Sequence, residues 1–377
     1  MSGGGEATAL GGATARRALI LTASIGGGHD LPAERLREGL AERGIEATVE
    51  DGLRALGSPL DRIALGGSRF HSALGNRLFD LEYALIAQVP PTRAFAQAAT
   101  TRLGRRGLLR RIADSGADVV VSTYPGVSEV LGRLRAYGAL TTPVCSAITD
   151  LAALRWWAHP GIDLHLCIHP ESIPEIARIA PGTRVVAVRG FSDPAFLSPP
   201  PRAAARTALD LPPDEPVVAV SGGGWGVGDL LGATAEARAA GAVAVVVCGH
   251  ADAVRAAIDT RFADDPSVRT LGFTTRLPEL FAAADALVHT TAGLTVLEAI
   301  MCGCPPISYG WGRAHIRAND RAYARHRLAA VARDRAALRT ALRAALDGPP
   351  LPAGAFAALP AAADEVAALS GATLAAC

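Results

Sequence analysis

Ala18-Leu19-Ile20-Leu21 runs through Thr22-Ala23 into Ser24-Ile25-Gly26-Gly27-Gly28-His29. Half a chain later Val217-Val218-Ala219-Val220 runs into Ser221-Gly222-Gly223-Gly224-Trp225-Gly226. Each stretch reads as a buried strand feeding a glycine turn that opens a helix. Glycine removes the Cβ that would keep a ligand off the backbone N–H groups, and the helix behind adds the positive end of its dipole. One such turn is a weak signal. Two, each heading its own strand–helix series, predict an α/β chain of two Rossmann-like domains facing a central cleft.

The flanking sequence fits that plan. Strands are expected at Arg17–Thr22, Ile45–Glu50, Asp118–Ser122, Pro143–Thr149, Leu164–Ile168 and Arg184–Val188. In the second half they are expected at Pro216–Val220, Ala242–Cys248, Val268–Leu271, Ala286–His289 and Pro306–Tyr309. Helical patterns alternate with them, among them Leu31–Arg43, Ser128–Tyr137, Val227–Ala239, Ala251–Arg261, Leu277–Ala283 and Leu294–Cys302. Such alternation implies parallel sheets covered on both faces. The proline-dense run from Ser192-Asp193-Pro194 through Pro199-Pro200-Pro201 to Leu211-Pro212-Pro213 cannot continue a helix or sheet and reads as the interdomain linker. The expected organisation is a loose tail over 1–16, a first domain over 17–197 and a second over 198–377.

Composition narrows the class. A chain of 377 residues, 50% hydrophobic and 19% charged, exceeds the usual single-core limit of about 250–300 residues. A formal net charge of +1 supplies no global field for nucleic acid. The six cysteines are scattered through apolar strands and a helix end, which fits a reducing cytosol better than a disulfide framework. Cys302 and Cys304 alone cannot make a zinc site. No run approaches the roughly 20 apolar residues of a membrane span. All 37 basic residues are arginine. The absence of lysine excludes a Walker-type phosphate loop, a lysine Schiff base and a lysine general base.

Several residues carry chemistry. Gly26-x-Gly28 followed by Glu50 and Asp51 mimics a dinucleotide fingerprint, but Leu31 stands at the third glycine and His29 adds bulk where the loop wants none. His29 lies past a strand's C-terminal edge, where open α/β sheets bind ligands, and histidine suits a general base near neutrality. The competing assignment for His29 is a helix N-cap. Glu298, expected in the first turn of the Leu294–Cys302 helix, can accept two hydroxyl hydrogen bonds as acidic residues do from ribose, or can simply complement the helix dipole.

Taken in order, the glycine turn with His29, Ser122-Thr123 after Asp118, Thr149-Asp150, Trp157-x-His159-Pro160, Ser221-Gly222-Gly223-Gly224, Leu271-Gly272-Phe273, Gly293-Leu294-Thr295-x-x-x-Glu298 and Asn319 resemble the monogalactosyldiacylglycerol synthase and processive diacylglycerol glycosyltransferase family. A more distant resemblance is to the N-acetylglucosaminyltransferase of peptidoglycan lipid-precursor synthesis. The resemblance implies a GT-B fold and inverting transfer of a hexose from a UDP-sugar, with no cofactor and no metal, in keeping with the lack of an Asp-x-Asp clamp. By that likeness Phe273 borders the uracil and Glu298 holds the ribose. Gly222, Gly223 and Gly224 line the diphosphate, with Gly293, Leu294 and Thr295 nearby and His315 and Asn319 beside the donor sugar. His29 is the base, Asp150 orients it or the acceptor, and Gly27, Gly28, Trp157 and His159 border the acceptor.

The sequence departs from the family where Gly-Gln-Glu-Glu-Gly-Asn is usual. Here Ala314-His315-Ile316-Arg317-Ala318-Asn319 stands, which leaves the hexose open. Residues 57–112 combine Phe70, Leu74, Leu78, Phe79, Leu81, Leu85 and Ile86 with Arg93, Arg102, Arg105, Arg106, Arg110 and Arg111. That composition suits either an interfacial element meeting anionic lipid at the inner face of the cell membrane or a helix pair with a solvated arginine face. The expected partners are a nucleotide sugar and a lipid or other hydrophobic acceptor. A soluble hydrophobic metabolite as acceptor, a nucleotide-sugar epimerase and a non-catalytic GT-B binding protein are the alternatives.

Overall fold

Runs such as Val119-Val120-Val121 and Val243-Ala244-Val245-Val246-Val247 leave no polar face, so their strands must be covered on both sides. A computed structural model of the chain describes residues 16–23, 27–57, 89–189, 191–291, 293–310, 314–349 and 351–372. Residues 1–15 of the tail expected over 1–16, Ser24-Ile25-Gly26 and the apolar positions from Phe70 to Ile86 lie outside the described residues. Twelve described strands form two six-stranded parallel sheets.

The first sheet holds β1 (Arg17–Thr22), β2 (Glu46–Asp51), β3 (Val119–Ser122), β4 (Val144–Ile148), β5 (Leu164–Cys167) and β6 (Arg184–Ala187), in the order β2-β1-β3-β4-β5-β6. Around it lie α1 (Gly27–Ala41), α2 (Gly52–Leu56), α3 (Pro90–Ser115), α4 (Pro125–Ala136) and α5 (Ile173–Ile179). Helix α3 starts on two prolines and stops at Gly116, whose φ of 59° supplies the left-handed cap.

The second sheet holds β7 (Val217–Ser221), β8 (Val243–Val247), β9 (Val268–Leu271), β10 (Ala286–His289), β11 (Pro306–Tyr309) and β12 (Ala330–Ala332), in the order β12-β11-β10-β7-β8-β9. Its helices are α6 (Arg202–Ala208), α7 (Leu230–Ala239), α8 (Asp252–Arg261), α9 (Leu277–Ala283), α10 (Leu294–Met301), α11 (Ala314–His326), α12 (Arg335–Asp347) and α13 (Ala362–Ala372). In both sheets the chain starts in the interior and winds outward to both edges. The loops at the C-terminal ends of β1, β3 and β4, and of β7, β8 and β10, therefore gather at one rim of each sheet, where such folds bind ligands.

Three features depart from the sequence expectations. The proline-rich linker is not without helix: α6 starts after Pro201 and packs on α9. Its buried Arg206 donates to the carbonyls of Ala283 and Pro212 and pairs with Asp285 at 2.9 Å. The Ser221–Gly226 turn does not open a helix directly, as described below. The last helix, α13, crosses back to pack on α1 and β3, with Arg43–Asp364 at 2.6 Å and an Arg184–Glu365 pair fastening it. By packing, the end of the second half belongs to the first. Linker residues Phe191 and Phe196 join one apolar cluster that runs from Ile20 and Val121 to Val217 and Leu287.

Among the described residues no helix is long and apolar enough to cross a membrane. The five described cysteines are buried free thiols. Among the described residues no three His, Cys, Asp or Glu side chains gather in metal-binding geometry.

Candidate active site

The first half of the site forms where β1 feeds α1. Helix α1 begins at Gly27, so His29 is its third residue. That places it inside the first turn and removes the N-cap assignment, because a cap stands outside the helical residues. The His29 Nδ1 lies 2.8 Å from the Thr123 carbonyl oxygen, and the Thr123 hydroxyl donates back to the His29 carbonyl at 3.1 Å. A carbonyl only accepts, so Nδ1 carries the hydrogen, and in the neutral ring Nε2 holds the lone pair. Tyr124 meets the ring edge-on with centroids 5.2 Å apart, and Trp157 lies at 6.0 Å. The ring is thus fixed in orientation by one hydrogen bond and two aromatic walls. A Cβ on Gly28 would meet open space, which leaves room beside the turn.

The second half forms at the ends of β7, β8, β9 and β10. After Ser221 the chain makes a single 3₁₀ turn over Gly223–Trp225, and α7 starts only at Leu230. The α7 N-terminus is filled by its own cap: Asp229 accepts from the Gly232 N–H at 2.8 Å and from Tyr309 and Arg335. Gly222, Gly223 and Gly224 therefore offer turn backbone and not a helix end. Gly249, at φ 58°, lies so close under Gly224 that a Cβ would strike the Gly224 carbonyl, which accepts from the His250 N–H at 2.8 Å. That approach carries His250 up beside Phe273, stacked at 4.7 Å and 12°, with Trp225 tilted 56° to the imidazole at 6.1 Å. Trp225 and Phe273 are 63% and 66% exposed, an open aromatic platform that folding does not consume.

Gly293 is the glycine that does open a helix. At φ 95° it precedes α10, and its N–H donates to the Tyr323 hydroxyl at 3.3 Å. His289 Nδ1 donates to the Thr291 carbonyl at 2.5 Å and shapes the same loop. Leu294 is buried, so only its backbone can face a ligand, whereas Thr295 is half-buried. Glu298 is the fifth residue of α10, not in its first turn, so complementing the helix start is no longer its explanation. It is 5% exposed, and burial pushes its carboxyl up to about 7. Asp193 adds to that shift. Arg35, and the nearby Ser192 hydroxyl, which does not complete a hydrogen bond, oppose it. The Arg35–Asp193 pair at 2.6 Å ties α1 to the linker next to it.

Residues 29–188 match the family model described as monogalactosyldiacylglycerol (MGDG) synthase, and residues 217–347 match glycosyl transferases group 1. Processive diacylglycerol beta-glucosyltransferases of Bacillus subtilis (strain 168) and Bacillus pumilus (strain SAFR-032) are 23% and 24% identical over 301 residues, covering 78% of this chain and of each relative. Among solved structures, MurG of Acinetobacter baumannii superposes with a TM-score of 0.56 at 15% identity, covering 94% of this chain and 99% of that one. SnogD, a glycosyltransferase from Streptomyces nogalater, superposes with a TM-score of 0.56 at 18% identity, covering 95% and 99%. The chain is a GT-B glycosyltransferase.

The resemblance drawn from the motifs is borne out by these matches, and so is the GT-B fold. Four expected side chains of the glycosyltransferase nevertheless sit differently from the family analogy. Trp157 is 2% exposed in a core with Ile148, Leu154 and Cys167, so it backs His29 and has no face to offer an acceptor. His159 packs against Gly132 of α4, and its Nδ1 accepts from the Gly161 N–H at 2.9 Å; burial first and Arg133 second hold it down to about 4. It fastens its own loop. Asn319 is fully buried, with its amide turned to the loop after β4 in the other domain. Asp150 accepts from Trp157 Nε1 at 2.9 Å and from Asn319 Nδ2 at 3.3 Å, and so reaches His29 only through the indole that both touch. His315 is the second residue of α11, but its side chain lies outside the described residues.

The motifs missed one residue altogether. His250 sits in Cys248-Gly249-His250, which reads as a strand end, and nothing local in it signals a ligand surface. The preceding glycine was the available hint.

Proposed function

We propose that this glycosyltransferase moves a hexose from a UDP-sugar to the hydroxyl of a diacylglycerol-like lipid with inversion at the anomeric carbon. His29 Nε2 takes the acceptor proton as the hydroxyl oxygen attacks from the face opposite the diphosphate. The bond from the anomeric carbon to the diphosphate breaks, and its electron pair leaves with UDP. Backbone N–H groups of the Gly222–Gly224 turn and of Leu294 and Thr295 at the helix start would receive the growing charge, since preorganised amides act strongly where water is excluded. Phe273 and His250 would carry the base, and Glu298 the ribose.

The observation that carries this reading is the bond from His29 Nδ1 to the Thr123 carbonyl, which makes Nε2 the basic nitrogen of the neutral ring. The lipid side is supported by the processive diacylglycerol beta-glucosyltransferase relatives and by α3. There Arg102, Arg105 and Arg106 border a groove of about 550 Å³ with Tyr137, and Phe95 and Leu103 of the same helix are 76% and 52% exposed. Exposed apolar groups among arginines match the chemistry of an anionic bilayer surface and support peripheral contact with one. Incubation with a panel of UDP-hexoses and total lipid extract, read by mass spectrometry for a hexose on diacylglycerol, tests the proposal. Hexose addition only to soluble aglycones, or none with any UDP-sugar, overturns it.

A further inference from the structure

Leu151, which belongs by sequence to the first domain, is buried in a cluster otherwise formed by Val296, Ile300, Ala322, Tyr323 and Ala329 of the second. The loop after β4 thus inserts across the cleft, and what it meets there is Asn319. The Asn319 Oδ1 accepts from the Leu151 N–H at 2.8 Å and the Ala152 N–H at 3.2 Å. Two backbone donors on one amide atom assign that atom as oxygen, so Nδ2 faces Asp150 and donates to its Oδ1 at 3.3 Å. Asp150 Oδ2 in turn accepts from Trp157 Nε1, and Trp157 is one of the walls that orient His29. Ala153, three residues after Asp150, has φ 66°, a left-handed conformation that a non-glycine residue adopts only when its surroundings impose it. Thr149, at the start of the same loop, lies beside Gly293, where a Cβ would come 3.6 Å from the Thr149 carbonyl.

We propose that Asn319 is an interdomain latch and a positioning residue. Its amide fastens the Leu151–Ala152 backbone to the donor-binding domain and, through Asp150 and Trp157, holds His29 in line with the donor. Asn319 is 0% exposed, so its amide is committed to the seam rather than to a ligand surface. The asymmetry of the pair matters. An amide can accept two N–H bonds with its oxygen and still donate to a carboxylate, whereas a carboxylate at 319 would face Asp150 as a like charge.

The kinetic arm rests on the proposed transferase reaction, while the exchange arm needs no substrate. Asn319→Asp and Asp150→Asn each break the Asn–Asp bond with little change of shape. The double variant, with both exchanges, restores every hydrogen bond and reverses only the one between 150 and 319: the carboxylate at 319 accepts all three N–H groups, and the amide at 150 still accepts from the indole. Each single variant should lose on the order of 10²-fold in kcat, as for misplacement of a catalytic group by about 1 Å, with affinities for UDP and UDP-hexose both nearly unchanged. The double variant should regain most of the rate. The Asn319→Asp activity relative to the unsubstituted enzyme should also rise as pH falls and the two carboxyls come to share a proton. In hydrogen exchange of the full-length, ligand-free chain, the Leu151 and Ala152 amides should lose protection in Asn319→Ala, while β7 and β10 stay protected. A double variant no faster than either single, or a selective loss of UDP-hexose over UDP affinity in Asn319→Ala, would show that Asn319 contacts the donor and overturn the latch. Unchanged protection at Leu151 and Ala152 overturns it too. An unsubstituted enzyme that transfers no hexose refutes the transferase reading alone and leaves the exchange result to decide the latch.

Discussion

The carbonyl of Thr123 accepts from Nδ1 of His29 at 2.8 Å and thereby decides which nitrogen of that ring can act as a base. The contact joins the end of β3 to the first turn of α1, so two adjacent strands of the first sheet fix the tautomer before any substrate arrives.

Because general-base catalysis is worth about 10²–10⁴-fold, His29→Ala should lose kcat within that range while UDP affinity changes little. His29→Asn should lose as much, since residue 29 is inside the helix and no cap is preserved by asparagine. The rate of the unsubstituted enzyme should fall on acidification as Nε2 takes a proton. Steady-state kinetics of the two variants with a pH profile checks this, and near-normal kcat in His29→Asn would remove His29 as the base.

Glu298 gives a pH signature in the absence of acceptor. Its carboxyl is pushed from 4.5 up to about 7 by burial, so the folded chain favours the neutral form. That contribution to stability is complete below about pH 4.5 and is lost as the pH rises through about 7. The melting temperature of the ligand-free enzyme should carry that slope, and Glu298→Gln should flatten it. Ribose hydroxyls prefer the carboxylate, so UDP binding near pH 6 should release a proton, measurable by calorimetry in buffers of different ionisation enthalpy. Glu298→Ala should weaken UDP by about 1.5–3 kcal/mol.

The platform of Trp225, His250 and Phe273 should behave as a stacking surface. Phe273→Ala should weaken UDP by about 1–3 kcal/mol, the usual worth of a base on an aromatic ring, and His250→Ala by a smaller amount, since the imidazole supports Phe273. Both variants should keep kcat at saturating donor. Unchanged UDP titrations would place the base elsewhere.

Turnover should persist in excess chelator. Loss of activity with EDTA and recovery with Mg²⁺ or Mn²⁺ would mean that amides alone do not carry the departing diphosphate.

Replacing Arg102, Arg105 and Arg106 by glutamine should reduce sedimentation with phosphatidylglycerol-containing vesicles by about 1 kcal/mol per charge, and added salt should do the same to the unsubstituted enzyme. Equal binding to neutral vesicles would assign the arginines to solvation.

The sequence was readable where a local pattern carries the physics. Val268–Leu271, Ala286–His289 and Pro306–Tyr309 are strands over the residues expected from the strand–helix alternation. β12 was missed because Ala330-Val331-Ala332 is short and offers a single β-branched side chain. In the site, His29 announces itself by standing in a glycine turn. Asn319 is recognisable as a polar residue of a motif, yet its partners Leu151 and Ala152 are 168 and 167 residues away, and no local pattern encodes that meeting. His250 shares the difficulty: its stacking on Phe273 depends on Gly249 sliding beneath Gly224, an approach between two loops.

The return of α13 to the first sheet means that the chain passes between the domains twice, once through Phe191–Phe196 and once before Ala362. A hybrid enzyme that joins the acceptor half of one relative to the donor half of another therefore needs two junctions. Cut once, at the linker, such a hybrid would give the acceptor sheet a foreign final helix and part Arg43 from Asp364 and Arg184 from Glu365. Donor and acceptor preference can be exchanged between relatives only if the last eleven residues of the helical tail travel with the first half of the chain.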